Sequence, residues 1–297
     1  MMVDVRAYLA ERARAVDEAL GRSLPPETEI PETLHKAMRY SVFAGGKRLR
    51  PVLVIAGAEA AGGRMEDVMP TACAMELIHT YSLIHDDLPA MDNDDFRRGM
   101  PTSHKVFGEA MAILAGDGLL TLAFRLLAEN FAAGRDPRAL RAVLVEIAEA
   151  AGTRGMVGGQ AVDIESESQP VSPSRLEYIH MHKTAALIRA SLRAGAMVCG
   201  ALPPALQALA AAGNNLGLVF QIVDDILDVE GTTAELGKTA GKDQAQHKAT
   251  YPALHGLEAS RARARALIVE AEAALAPLGP AADPIRAIGR FILERKA

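Results

Sequence analysis

Leu83-Ile84-His85-Asp86-Asp87-Leu88-Pro89-Ala90-Met91-Asp92-Asn93-Asp94-Asp95 is an acidic run at the end of an apolar one. The apolar stretch leading into it begins near Val68 and has helical spacing over about six turns. A helix apolar on every side is buried. Carboxylates crowded at its end repel one another and lose hydration, so something positive has to offset them. Asp86 and Asp92 are six residues apart and would face different ways on a straight helix. Pro89 lies between them without an amide proton, so the helix should end or unwind there and return Asp92 to the side of Asp86. Asp94 and Asp95 read as solvated, or paired with the arginines that follow.

Phe220-Gln221-Ile222-Val223-Asp224-Asp225-Ile226-Leu227-Asp228 repeats the theme. Asp224 and Asp228 are one turn apart and share a face. Paired carboxylates suit a hard divalent cation. Magnesium keeps waters and shares itself with phosphate oxygens, so it fits a site with few carboxylates better than calcium does.

Helical periodicity fills the rest of the chain. Val3, Tyr8, Leu9, Ala13, Val16 and Leu20 mark an opening amphipathic helix, and Leu34, Met38, Val42 and Phe43 mark another, closed by Gly45-Gly46. Further helical stretches run over 68–88, 105–131, 137–157, 174–199, 203–229, 259–275 and 284–294, about ten helices in all. Two segments read as loops, 163–173 and 231–252, the second a candidate lid. No domain boundary interrupts the pattern, which predicts one all-α domain over 1–297. Of the 297 residues 49% are hydrophobic but only 4% aromatic, and Ala and Leu dominate, favouring helix over a β-sandwich or barrel. A net charge of -5 and a pI near 5.9 argue against a nucleic-acid partner. Cys73 and Cys199 lack metal-type spacing and read as buried thiols. Met1 to Leu20 holds no apolar run long enough for a signal peptide or membrane span, which predicts a cytoplasmic protein with no stable membrane insertion.

Two metal-binding acidic clusters imply an anionic substrate, and the chain supplies cations to match. Gly45-Gly46-Lys47-Arg48-Leu49-Arg50-Pro51 places a flexible glycine pair before three cations, a pattern suited to gripping phosphate. Arg97-Arg98-Gly99 follows the first acidic cluster, and Lys183, Lys238, Lys242 and Lys248 flank the second. His79 precedes Asp86 by seven residues and shares its face two turns away, where it becomes a phosphate donor beside Lys47 and Arg50. Each basic group alone would ordinarily be a solvated face; the combination with two buried acidic clusters is what carries the argument.

In order and spacing these motifs resemble the trans-isoprenyl diphosphate synthases, most of all the bacterial farnesyl diphosphate synthases. Asp86 to Asp92 is similar to the family's first aspartate-rich motif in its long form, and Asp224 to Asp228 to the second. Gly45 to Pro51, Arg97-Arg98-Gly99, Gly159-Gln160, Lys183-Thr184, Gly237-Lys238 and Lys248 to Pro252 also match. The resemblance implies a helical bundle around a deep central cavity. It implies that Lys47, Arg50, His79 and Arg98 hold isopentenyl diphosphate, and that Arg97, Lys183, Thr184, Gln221, Lys238 and Lys248 hold the allylic diphosphate. Asp86, Asp92 and Asp224 would coordinate magnesium, about three ions per site with manganese as an alternative, while Asp87, Asp225 and Asp228 support them from behind or through water. Asp86, Asp92, Asp224, Arg97, Lys183 and Lys238 would then stabilise the departing diphosphate. Asp163 lies near the same cavity with no task assigned. Family members are commonly homodimers.

Product length depends on what blocks the growing tail below Asp86. One helical turn is about 5.4 Å, on the order of one isoprene unit. Tyr81 and Ser82 therefore form the expected floor, and bulky Tyr81 resembles that of farnesyl-making relatives. Geranylgeranyl diphosphate is the alternative product. A class I terpene cyclase would lack the second aspartate cluster and the Gly45 to Pro51 site. A non-catalytic subunit of a heteromeric prenyltransferase would tend to lose an acidic motif, and a helical scaffold would not need basic sites on both sides of the metals.

Overall fold

In a computed structural model of the protein, residues 3–131, 136–167, 169–230 and 250–295 are described. They form α1 (Val5–Ser23), α2 (Glu32–Val42), α3 (Leu49–Ala60) and α4 (Met65–Asp86), then a two-residue hairpin of β1 (Phe96–Arg97) and β2 (Met100–Pro101). After it come α5 (Ser103–Phe107), α6 (Glu109–Glu129), α7 (Pro137–Ala151), α8 (Met156–Glu165) and α9 (Pro173–Ile179). A π-helical turn, His180–Ala185, joins α9 to α10 (Ala186–Val198). The chain continues with α11 (Pro203–Glu230), α12 (Tyr251–His255), α13 (Leu257–Ala274), a 3₁₀ stretch (Ala276–Ala282) and α14 (Asp283–Glu294).

The architecture is the all-α bundle that periodicity predicts. Fully buried side chains gather in two groups. Leu20 of α1, Met75, Leu77 and Ile78 of α4, Leu119 and Leu127 of α6, and Ile147 of α7 belong to one. Leu53 of α3, Ile188 and Leu192 of α10, Ile222 of α11 and Ile288 of α14 belong to the other. Helices α3 and α10 contribute to both groups and so form the partition between them. The two helices that end in aspartates, α4 and α11, stand on opposite sides of it.

Local chemistry changes some predicted boundaries. The stretch 105–131 breaks at Gly108 (φ +83), and 137–157 breaks over Gly152 to Gly155. The predicted loop 163–173 is shorter, since α8 runs on to Glu165 and keeps Asp163 helical. The hairpin was not legible from alternation. It depends on Arg98 and Gly99, both with positive φ (54° and 76°), which suits the tight turn of a two-residue loop. Two described helices, Glu109–Glu129 and Pro203–Glu230, are long and apolar enough to cross a membrane. The second buries its apolar residues in the core.

Candidate active site

Helix α4 ends at Asp86, three residues before Pro89. The chain then folds back, with the Asp92 amide donating to the Asp86 carbonyl (2.8 Å) and Asn93 taking a left-handed φ of 50°. Burial pushes the Asp86 carboxyl up to about 6; Asp92 pushes the same way, against the pull of Lys183 and Arg97. Its neighbour Asp87 turns inward, and both its oxygens are engaged by Arg97 (2.8 and 2.9 Å from Nε, 2.5 Å from Nη2). The hairpin thus delivers Arg97 to the first cluster and Arg98 to the Gly45-Gly46 loop, where Arg98 donates to the Gly45 carbonyl. Gly46 is required there: at φ +122°, a Cβ on it would stand 2.4 Å from Arg98 Nη1.

In the second cluster Asp224 pairs with Arg295, which follows α14. Asp225 is buried and accepts from Gln221 Nε2 (2.9 Å) and from the Tyr251 amide (2.8 Å). Gln221 in turn accepts from Thr184 Oγ1 (2.9 Å), tying α11 to the π turn. Asp228 is buried one turn on.

The π turn presents Lys183 beside α8. Their approach is so close that a Cβ on Gly159 would stand 2.2 Å from the Lys183 amide nitrogen. Lys183 Nζ donates to Asp163 (2.7 Å). Burial alone would push Lys183 down, yet Asp163, Asp86 and Asp92 together hold it above its ordinary value. Asp163 thereby acquires the role that sequence could not give it, fixing Lys183 toward the first cluster.

A cavity of about 360 Å³ is lined by Asp86, Lys183 and Thr184 at one end and by Tyr81, Ser82 and His85 along α4, with Met91 and Met156 among its apolar walls. Arg50 and His79 also line it, and both line a second pocket of about 260 Å³ with Lys47, Arg98 and Phe220. Burial, then the surrounding arginines, push His79 well below its ordinary value, which favours the neutral ring. Arg48, one of three cations expected to face phosphate, turns away: its guanidinium is buried against Asp17, Glu76 and the Val42 carbonyl, each at 2.7 Å. Lys238, Lys242, Lys248 and most of the candidate lid lie outside the described residues.

The donor set of the two clusters consists of carboxylate oxygens, which fits a hard divalent ion, and the upward shift of Asp86 shows how strongly a buried carboxylate there needs added positive charge. Among the described residues no group of three ligating side chains converges. Sequence reasoning missed Arg295 and Glu76. The partner of each lies far along the chain, and neither belongs to a motif.

The polyprenyl synthetase family pattern matches residues 31–275. A farnesyl diphosphate synthase of Geobacillus stearothermophilus is 52% identical over 260 residues, covering 87% of this chain and 87% of its own. A chloroplastic heterodimeric geranylgeranyl pyrophosphate synthase large subunit of Arabidopsis thaliana is 50% identical over 99% of this chain and 80% of its own. The crystal structure of geranylgeranyl pyrophosphate synthetase from Pyrococcus horikoshii superposes with a TM-score of 0.90 at 32% identity, over 99% of each chain. With an aspartate cluster on each of α4 and α11, a cavity below the first lined by Lys183 and Arg50, and these matches spanning nearly its whole length, the chain belongs to the trans-isoprenyl diphosphate synthases, magnesium-dependent prenyltransferases that join isoprenoid diphosphates head to tail.

Proposed function

We propose that this prenyltransferase lengthens an allylic diphosphate, dimethylallyl or geranyl, with isopentenyl diphosphate, using the two adjoining cavities as its two substrate sites. The observation that carries this reading is the shared wall. Arg50 and His79 border both pockets, so an isopentenyl group held by Lys47, Arg50, His79 and Arg98 would lie against the mouth of the tail cavity.

On this reading Lys183, fixed by Asp163, grips the allylic diphosphate together with Arg97, Thr184 and Gln221 and with Lys238 and Lys248. Magnesium held by Asp86, Asp92 and Asp224 supplies, when bound, the Lewis-acid charge that helps diphosphate leave. Asp87, Asp225 and Asp228 hold the clusters in place from behind. Met91, Met156 and Tyr81 keep water from the allylic cation while the double bond of isopentenyl diphosphate attacks its terminal carbon. One carbon–carbon bond forms, one carbon–oxygen bond breaks, and the proton lost passes to the departing diphosphate.

Two products stay in play, and each has an observation behind it. The plant geranylgeranyl relative is similar over 99% of the chain, against 87% for the Geobacillus farnesyl relative, which favours geranylgeranyl diphosphate. Tyr81, buried and lining the cavity between Asp86 and the α4 core, favours farnesyl diphosphate. The test is purified protein with magnesium, labelled isopentenyl diphosphate and dimethylallyl diphosphate, followed by chromatography of the dephosphorylated products. No incorporation of label would refute the reading; the chain length of the labelled alcohol decides between the products.

The same proposal takes residues 1–297 as one domain in the cytoplasm. It also takes the protein as a homodimer, which the exposed Ile113, Leu114 and Phe124 of α6 support, since an uncovered apolar helix face is suited to pairing.

A further inference from the structure

The pocket assigned above to isopentenyl diphosphate concentrates positive charge. Lys47, Arg50 and Arg98 line it, and Arg48 borders it with its guanidinium turned to Asp17, Glu76 and the Val42 carbonyl. The buried carboxylate among them is Glu76 of α4, which lines the same pocket and is 1% exposed. One Glu76 oxygen accepts from Arg48 at 2.7 Å; the other is buried without a hydrogen bond. Arg50 Nε is likewise buried without a partner. Burial pushes Arg50 down to about 10, with Arg98 adding to the fall and Glu76 opposing it most strongly; burial lowers Arg98 too, and Glu76 is again the foremost opposing charge. Arg48 itself takes a left-handed φ of 48°, a conformation its three acceptors hold.

A carboxylate that merely anchored Arg48 would direct both oxygens at it, or leave the second in water. Here the second oxygen is buried without a hydrogen bond, on a residue lining a pocket whose other charged groups, Lys47, Arg48, Arg50, Arg98 and Arg295, are all cations. We propose that Glu76 is a positioning residue for the isopentenyl site, the resting counter-ion that keeps Arg50 and Arg98 side by side until a diphosphate takes over their charge. This rests on the reading of that pocket as the isopentenyl site. Glu76 and the incoming diphosphate then compete for the same positive charge, so removing the Glu76 charge weakens the empty protein and tightens anion binding.

The test uses the full chain in EDTA, so that the metal clusters take no part, with inorganic pyrophosphate as the probe in calorimetry and thermal unfolding. Glu76→Gln keeps volume and one acceptor for Arg48. It is expected to melt below wild type when empty, to bind pyrophosphate roughly tenfold more tightly, and to gain the larger thermal shift on binding. Glu76→Asp, which keeps the charge, should restore wild-type affinity. Affinity in Glu76→Gln equal to or weaker than wild type overturns the proposal.

Should Glu76→Gln fail to fold, the double variant E76Q/R98Q supplies the answer. Relief of repulsion should recover folding, although Glu76 and Arg98 share no hydrogen bond. A double variant no better folded than E76Q alone also overturns the proposal. Arg50→Ala separates the two layers. If wild type and Arg50→Ala bind pyrophosphate equally, the pocket reading itself falls; if Arg50→Ala binds more weakly while Glu76→Gln matches wild type, only the role of Glu76 falls.

Discussion

The two aspartate clusters look alike in sequence and are built differently. The first ends a helix, and its chain doubles back at Pro89, so Asp92 returns to Asp86 through local hydrogen bonds. The second sits inside a helix that continues two residues past Asp228, so its register is set by helical geometry alone. Each nevertheless commits its second aspartate to holding the protein together. Asp87 clamps Arg97 ten residues on, and Asp225 holds the Tyr251 amide 26 residues on. The doublet therefore divides its labour: the first carboxylate is left to the cavity (Asp86) or to Arg295 (Asp224), and its neighbour, a hundred degrees round the helix, anchors a following segment.

That division predicts the largest effects. Asp86→Ala and Asp224→Ala should each lower turnover by about 10³-fold or more, since on the proposed reading each removes charge stabilisation of the departing diphosphate, while melting within a few degrees of wild type. Near-normal turnover in either would break the comparison. Asp87→Asn should do the converse. It leaves Arg97 partly buried without its carboxylate and should cost about 3 kcal/mol of stability, read by chemical denaturation. Asp225→Asn keeps one acceptor and should cost less, about 1–2 kcal/mol. Equal stability losses at Asp86 and Asp87 would show that the doublet is not divided as described.

The pH dependence sharpens the same contrast. Asp86 has its folded pKa raised from 3.8 to about 6 by burial. Between those values the folded, metal-free protein holds more protons than the unfolded chain, so ionising Asp86 lowers stability as pH rises, and the loss is complete above about pH 6. Asp86→Asn removes this loss. In EDTA it should exceed wild-type stability by about 2 kcal/mol at pH 7.5, with the advantage fading toward pH 4. The difference between the two denaturation curves cancels the other titrating groups, and an advantage that does not change with pH would exclude Asp86 as its source.

Much of this was legible in the sequence because it is local. A buried apolar run ending in carboxylates, with a proline placed to stop it, dictates both the helix end and the return of Asp92. The Gly45 to Pro51 motif was readable as a basic loop, but not which of its cations faces inward. Arg48 is chemically equivalent to Arg50; what turns it away is Asp17, 31 residues before it, and Glu76, 28 residues after it. The pairing of Arg295 with Asp224 spans 71 residues and follows no periodic rule. Asp163 could not be assigned because its partner Lys183 sits on a π turn, whose extra residue shifts the register that an α-helical wheel assumes.

The clusters differ once more in what lies beneath them. One turn below Asp224, Phe220 lines the basic pocket with Arg295 over its ring. One turn and a little more below Asp86, Tyr81 lines the tail cavity, with its ring edge-on to His85 at 5.7 Å between centroids. On the proposed reading, Tyr81 is the floor that a hydrocarbon tail below the first cluster would meet. Tyr81→Ala opens that floor without touching a charged group. It should shift the product mixture toward longer chains while changing turnover by only a few fold, a smaller free-energy effect than any above because one apolar boundary moves. Ser82→Phe narrows the same stretch of α4 and should shift products the opposite way. Chromatography of dephosphorylated products from the pair decides the matter: opposite shifts place the length-determining surface on α4, and an unchanged spectrum in both places it on another wall of the cavity.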